Sequence, residues 1–315
     1  MRKLFMVCLA VLLVVVGCGG KEATVAPPLE TTESQQVYYF LASNMKDPFY
    51  IPSIKGFTQA GVDLGIKTEI AGPLEYSLSE LLKTFEALVA NPTTAGIYFV
   101  GMDEMAGEPT IKDAQAKGIP IVVGMADTQG RARDAFIGYD NVMLGNEAGE
   151  WIAKLTDCKG VVGAIGNPGA TVIIRTDAML AYLAERCPDI KTVPFVSAEP
   201  TLASGVATLE AYLVANPDMT LFWYADGVSG LLAPYWEDRQ ELGSEIMFLA
   251  TDMPPATLQA VKDGVFVGTV GQDTYSEEYF GLQLLYNASQ GKRVPDSSFM
   301  APILVDKSNV DQFIE

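Results

Sequence analysis

Asp226 and Asp252 each stand two residues beyond an apolar run, Thr220–Tyr224 and Glu245–Ala250. The carboxyl ends of strands are where open α/β sheets present groups to a ligand. Two such carboxylates could work as acid and base in a hydrolase or lyase. They could equally accept hydrogen bonds from the hydroxyls of a molecule that leaves unchanged. The chain contains no histidine, which excludes Ser-His-Asp and Cys-His nucleophiles and the common His-containing zinc sites. Nothing marks a nucleophile or a metal cluster, and Gly166-Asn167-Pro168-Gly169 is too short for a dinucleotide fingerprint. The pattern therefore favours binding over catalysis, with no catalytic residue, no metal and no cofactor expected. Tyr224 reads either as a ligand contact or as core, and Asp140 either as a ligand group or as a turn residue.

The elements that would carry these groups are duplicated. Glu86-Ala-Leu-Val-Ala-Asn-Pro92 recurs as Glu210-Ala-Tyr-Leu-Val-Ala-Asn-Pro217, and each copy runs into an apolar strand-like stretch. Their prolines are 125 residues apart, far beyond the roughly 20–50 residues of a solenoid period. Two similar α/β lobes are expected, with a cleft between them as the preferred ligand site. Strands are predicted at Val37–Leu41, Lys67–Ala71, Gly96–Val100 and Ile119–Val123, alternating with helices at Ile51–Leu64, Ser79–Ala90 and Thr110–Lys117. After Asn141 a helix at Leu144–Leu155 leads to strands at Gly160–Ile165, Thr192–Val196, Thr220–Tyr224, Glu245–Ala250 and Val265–Gly271. The helices between them fall at Val172–Arg186, Gly205–Ala215, Gly230–Leu242 and Ala256–Asp263, and Tyr275–Gln290 is a last long helix. Alternating β and α units imply parallel sheets covered by helices on both faces, a Rossmann-like α/β class.

The N-terminus carries Arg2, Lys3 and an unbroken apolar run from Leu4 to Val16, short of the ~20 residues that span a bilayer and suited to a cleaved signal over residues 1–17. Val15-Val16-Gly17-Cys18 resembles a bacterial lipobox, so Cys18 is the expected lipidation site; a soluble secreted protein with an incidental cysteine is the other reading. Residues 18–36 are polar, with Pro27-Pro28, and read as a tether. The formal charge of −18 repels phosphates and anionic lipid, so no nucleic-acid partner is expected. Cys158 and Cys187 each precede a predicted strand of the second half. If those strands are neighbours a disulfide is feasible in an oxidising compartment; otherwise both are free thiols.

From residue 36 onward the chain resembles the ribose-type periplasmic sugar-binding proteins of ABC importers. The resemblance rests on Lys46-Asp47-Pro48-Phe49-Tyr50, Lys117-Gly118-Ile119-Pro120-Ile121, Ile137-Gly138-Tyr139-Asp140-Asn141 and Asn216-Pro217-Asp218. Tyr224-Ala225-Asp226-Gly227, Ala250-Thr251-Asp252 and Thr269-Val270-Gly271-Gln272-Asp273 follow in order. It implies a periplasmic-binding-protein type I fold, two lobes joined by a three-segment hinge. Crossings are expected near Tyr139–Asn141, Gln272–Thr274 and just before Ile303. The lobes would comprise residues 37–139 plus 273–301 and 140–272 plus 302–315. It further implies that Phe49 and Tyr50 sandwich a sugar's apolar face, where a hydrophobic helix cap is the alternative. Arg175 would contact the ligand rather than pair with Asp177 or Glu147 on the surface, and Asp252 and Gln272 would bind hydroxyls.

The departures from that family are specific. Met125-Ala126 stands where Asp-Arg is usual, and Val100 and Ala225 stand for asparagines. A more apolar pocket follows, suited to a modified sugar, a nucleoside or another polyol with an apolar face, unless Asp103 or Asp127 compensates. The implied function is capture of a small hydroxylated ligand by lobe closure and delivery to an ABC permease. The protein would act as a lipid-anchored monomer in the bacterial cell envelope, outside the cytoplasm. A sensor presenting its closed form to a chemoreceptor or kinase is the alternative, and a carboxylate-dependent extracellular hydrolase the lesser one.

Overall fold

A computed structural model describes residues 35–46, 49–100, 107–128 and 130–314. The signal, Cys18, most of the tether, Asp47, Pro48 and Asp103 lie outside the described residues. Among the described residues no helix is long and apolar enough to cross a membrane.

Eight elements come first: β1 (Val37–Leu41), α1 (Tyr50–Leu64), β2 (Lys67–Ala71), α2 (Leu78–Ala90), β3 (Thr94–Val100), α3 (Glu108–Ala116), β4 (Ile121–Met125) and β5 (Ala135–Tyr139). Local chemistry sets their limits. Ser77 caps α2 by accepting from the Glu80 amide, and Gly65 ends α1 at φ 66°, a left-handed conformation that glycine adopts without a Cβ penalty. The chain then forms α4 (Asn141–Thr156), β6 (Gly160–Gly166), α5 (Ala170–Arg186), β7 (Ile190–Thr192), β8 (Val196–Ser197), α6 (Leu202–Ala215) and β9 (Met219–Tyr224). After a 3-10 turn at Gly227–Leu232 come α7 (Ala233–Glu241), β10 (Met247–Thr251), α8 (Pro255–Asp263), β11 (Gly268–Gly271), α9 (Thr274–Ser289), β12 (Ser297–Met300) and β13 (Ile303–Val305).

Two sheets result. One has the order β12-β5-β4-β3-β1-β2, all parallel; the other runs β13-β11-β10-β9-β6-β7, parallel except for β13, with β8 also pairing β6. The chain passes between sheets after β5, after β11 and between β12 and β13. Each sheet has apolar residues packed on both faces, as parallel sheets require. Helix α9 follows the second sheet in sequence yet packs on the first. It lies so close to α1 that a Cβ added at Gly56 would strike the Tyr275 carbonyl.

The sequence repeat is a repeated turn. Asn91 and Asn216 each close a helix by donating N–H to the carbonyl three residues back, and each carbonyl accepts from Thr94 or Met219 at the next strand. Cys158 and Cys187 form a disulfide, with Cα atoms 5.0 Å apart, where β6 and β7 pair as Gly160 with Ile190.

Four departures from the sequence reading have physical causes. The expected strand Thr192–Val196 is two short strands, because Pro194 between them has no N–H to pair. The helix expected from Gly230 begins as the 3-10 turn capped by Asp226. Val265 and Phe266 both donate to the Ala260 carbonyl, so they close α8 and β11 starts later. The strands β5 and β12 were hidden, because β5 is a short run broken by Gly138 and β12 is four residues long and half serine.

Candidate functional site

The crossings are tied to each other by side chains at strand ends. At the end of β5 the Tyr139 hydroxyl accepts from the Asp273 amide at 2.6 Å, which joins the first crossing to the second. Asp140, next in the chain, accepts from the amides of Val142 and Met143 at 2.9 and 3.0 Å. It is the N-cap of α4, using the short side-chain acceptor that such a position favours.

Asn141 follows and turns its amide oxygen to Arg175 on α5, accepting from Nε at 3.1 Å and Nη2 at 2.8 Å. The guanidinium is buried. Burial lowers its pKa, and the charges of Asp252 and Asp226 act in the opposite sense. Asp226 accepts from the Val228 amide at 2.9 Å and from the Asn167 amide; burial raises its pKa while these bonds and Arg175 lower it. Asp252 directly follows β10 with φ 65°, a left-handed conformation uncommon for a residue with a side chain. Its amide donates to Val270 and its carbonyl accepts from Thr269 Oγ1 at 2.7 Å. Arg175, Asp226 and Asp252 are thus gathered at the carboxyl ends of β6, β9 and β10.

A cavity of 480 Å³ opens beside Asp252. Its walls come from the start of α1 (Phe49, Pro52, Lys55), from the β10–α8 loop (Asp252, Met253) and from the crossing that holds Gln272. The space therefore draws on helices of both sheets and on the chain that joins them.

Of the candidates, Phe49, Asp252 and Gln272 line it, whereas Arg175, Asp226, Asp140, Tyr50 and Tyr224 are not among its lining residues. Tyr50 is buried in the core of the first sheet, where its hydroxyl meets Ser43 Oγ at 2.7 Å and its ring packs edge-on against Phe49. Tyr224 is fully buried on the face of β9 opposite Trp223. It packs with Phe248 under α6 and the 3-10 turn, and burial raises its phenol pKa. Asp127, offered above as a compensating group, is held by Arg133 through Nε and Nη2, both at 2.7 Å.

Sequence reasoning missed two carboxyls. Glu277 and Glu278 on α9 are fully buried, and Glu277 Oε1 accepts from the Met125 amide at the end of β4, 2.8 Å away. They share the inward face of α9 with Gly281, Leu282 and Leu285, so two acids on an apolar helical stripe were the available signal. Burial raises the Glu277 pKa to about 8 and carries that of Glu278 well above the carboxylate range. Among the described residues no group of three or more acidic, histidine or cysteine side chains is arranged to hold a metal ion.

Residues 38–293 match the family profile described as a periplasmic binding protein domain. The chain is 24% identical over 275 residues to the ribose import binding protein RbsB of Bacillus subtilis (strain 168), covering 84% of this chain and 85% of that one. The solved sugar-binding protein of a sugar ABC transporter from Bacillus halodurans superposes with a TM-score of 0.83 at 22% identity, over 88% of this chain and 100% of that. AraP, an arabinose binding protein from Geobacillus stearothermophilus, gives 0.81 at 22% identity, over 89% and 100%. A carbohydrate transporter solute binding protein from Agrobacterium radiobacter, in complex with D-arabinose, gives 0.80 at 21%, over 90% and 100%. At these identities the structural likeness is one of fold.

Proposed function

Given that the chain belongs to the periplasmic binding protein domain family, a family of solute-binding proteins rather than enzymes, we propose that it captures a small hydroxylated ligand. A sugar, a modified sugar or a nucleoside fits this reading, and the captured molecule is handed to the permease of an ABC importer. The observation that carries the reading is the 480 Å³ cavity, whose walls come from both lobes and from the segment joining them. A molecule seated there touches both lobes only when they are together, so its binding free energy draws them closed. The names of the ribose, arabinose and carbohydrate-binding relatives support the ligand class.

In this proposal Phe49 offers an apolar ring, Gln272 and Asp252 meet hydroxyls, and Arg175, held in orientation by Asn141, donates to ligand oxygens. Asp226 supports the loop at Asn167, and Asp140 serves the hinge as a helix cap. The lobes are residues 37–139 plus 273–301 and 140–272 plus 302–315. The protein works as a monomer outside the cytoplasm, held to the membrane through lipid on Cys18.

Thermal-shift screening against sugars, polyols and nucleosides, followed by X-ray scattering with any ligand found, tests the proposal. A stabilising ligand that shrinks the radius of gyration and is recovered unchanged supports it. Chemical conversion of that ligand, or stabilisation with no change of shape, sinks it.

A further inference from the structure

The cavity beside Asp252 has two kinds of wall. Asp252 and Gln272 are the polar groups already assigned to a solute. Of its other polar residues, Asp273 caps α9 by accepting from the Ser276 amide, and Lys55 and Gln259 are exposed. The second lobe adds Met253 and Pro254 from the β10–α8 loop, Leu258 from α8, and Phe313 and Ile314 from the end of the chain. The volume of 480 Å³ falls in the range of about 300–1,000 Å³ that drug-sized molecules fill, more than a free pentose or hexose needs. A monosaccharide bound by Asp252 and Gln272 would leave that apolar wall facing water or sugar hydroxyls, and a hydroxyl finds no partner there.

The apolar wall is held in place from below. A Cβ added at Gly271 would lie 2.6 Å from Met253 Cγ and Sδ, so glycine at the end of β11 lets that side chain settle against the strand. With three rotatable bonds and a polarizable sulfur, a methionine adapts to partners of irregular outline. The end of the chain is pinned by its own turn. Val310 is buried and donates to the Asp306 carbonyl at 2.9 Å, and the Phe313 amide donates to Val310 at 3.0 Å. Lys262 on α8 pairs with Asp311 at 2.7 Å. Met253, Phe313 and Ile314 pack on the second lobe's core yet are only partly buried by it, and what remains uncovered lines the cavity. Across from them Phe49 and Pro52 are half-buried at the start of α1.

We infer that Met253, Leu258, Phe313 and Ile314 form an aglycone subsite, and that the preferred solute is a sugar joined to an apolar group rather than a free monosaccharide. The inference rests on the capture function proposed above and names its substrate class. The hydroxyls of the sugar ring meet Asp252 and Gln272, while the apolar group covers Met253 and Phe313. Apolar surface of both partners then leaves water, which adds affinity without any further hydrogen bond. Aromatic and alkyl groups share this chemistry, and the arms of the test separate them.

The test uses the full chain and the methyl, hexyl and phenyl β-glycosides of D-ribose, D-xylose, D-glucose and D-galactose, beside the free sugars. Calorimetric titration at several temperatures gives affinity and heat-capacity change together. With at least one ring, the hexyl or phenyl member should bind at least roughly 10-fold tighter than the methyl reference. Its heat-capacity change of binding should also be the more negative, the mark of buried apolar surface. Phe313→Ala should lower that affinity ratio severalfold, and the heat-capacity comparison on the unaltered chain remains a readout if the variant fails to fold. Hexyl and phenyl members that bind no tighter than methyl overturn the inference and leave the capture function standing; the apolar wall then meets Phe49 and Pro52 as the lobes close. An unchanged ratio in a folded Phe313→Ala chain also overturns it, because the apolar group then lies elsewhere. Failure of every probe to bind overturns the inference, and failure of the wider sugar, polyol and nucleoside screen overturns the capture function as well.

Discussion

In the proposed site, single side chains divide into those assigned to the solute and those that hold others in place. Arg175 is fixed by two bonds to Asn141, so its guanidinium is oriented before any ligand arrives. Arg175→Ala should cost ~2–5 kcal/mol of binding by leaving groups buried and unpaired; a calorimetric titration matching the unaltered protein would remove it from the site. Asp140 should behave differently. As an N-cap its loss costs ~1 kcal/mol of stability, and Asp140→Ala should lower the melting temperature with little change in affinity. Glu277 links folding to acidity. Burial raises its carboxyl from the ordinary 4.5 to about 8 in the folded chain, so between those pH values the folded state binds more protons than the unfolded one. Stability must fall as pH rises through that window. Melting curves should show the decline, and Glu277→Gln should flatten it. These roles were unevenly legible in the sequence. Asp252 was marked by its place after a strand, whereas Tyr50 and Tyr224 carried the right chemistry on faces turned into the cores. Strand alternation could not say which side of β9 opens on the cleft.

Elements repeat the lesson on a larger scale. The helix–Asn–strand unit was readable because identical residues make identical turns, and the parallel sheets followed from alternation alone. Strands β5 and β12 were not readable, since each is short and takes its place from pairing, β12 with β5 and β5 in turn with β4. The disulfide joins the end of α5 to the start of β6 across a sequence separation of 29 residues. Replacing both cysteines with alanine should cost ~2–4 kcal/mol, measurable in denaturant under non-reducing conditions. The contact between α1 and α9 is tight enough that Gly56→Val should cost ~1–3 kcal/mol by overpacking.

The molecule as a whole is two sheets sharing three crossings, and the bond between Tyr139 and Asp273 spans two of them. Tyr139→Phe keeps the ring and removes that bond, so the balance between open and closed lobes should shift. Scattering of the ligand-free variant should give a radius of gyration different from that of the unaltered chain. The crossings carry one more consequence. The first sheet takes its edge strand from residues 297–300 and its covering helix from 274–289. During synthesis on a ribosome, that half must wait for almost the entire polypeptide to emerge before its native partners exist. Nascent chains stalled at residue 270 should be digested by protease throughout residues 37–139, although every residue of that stretch has already been made.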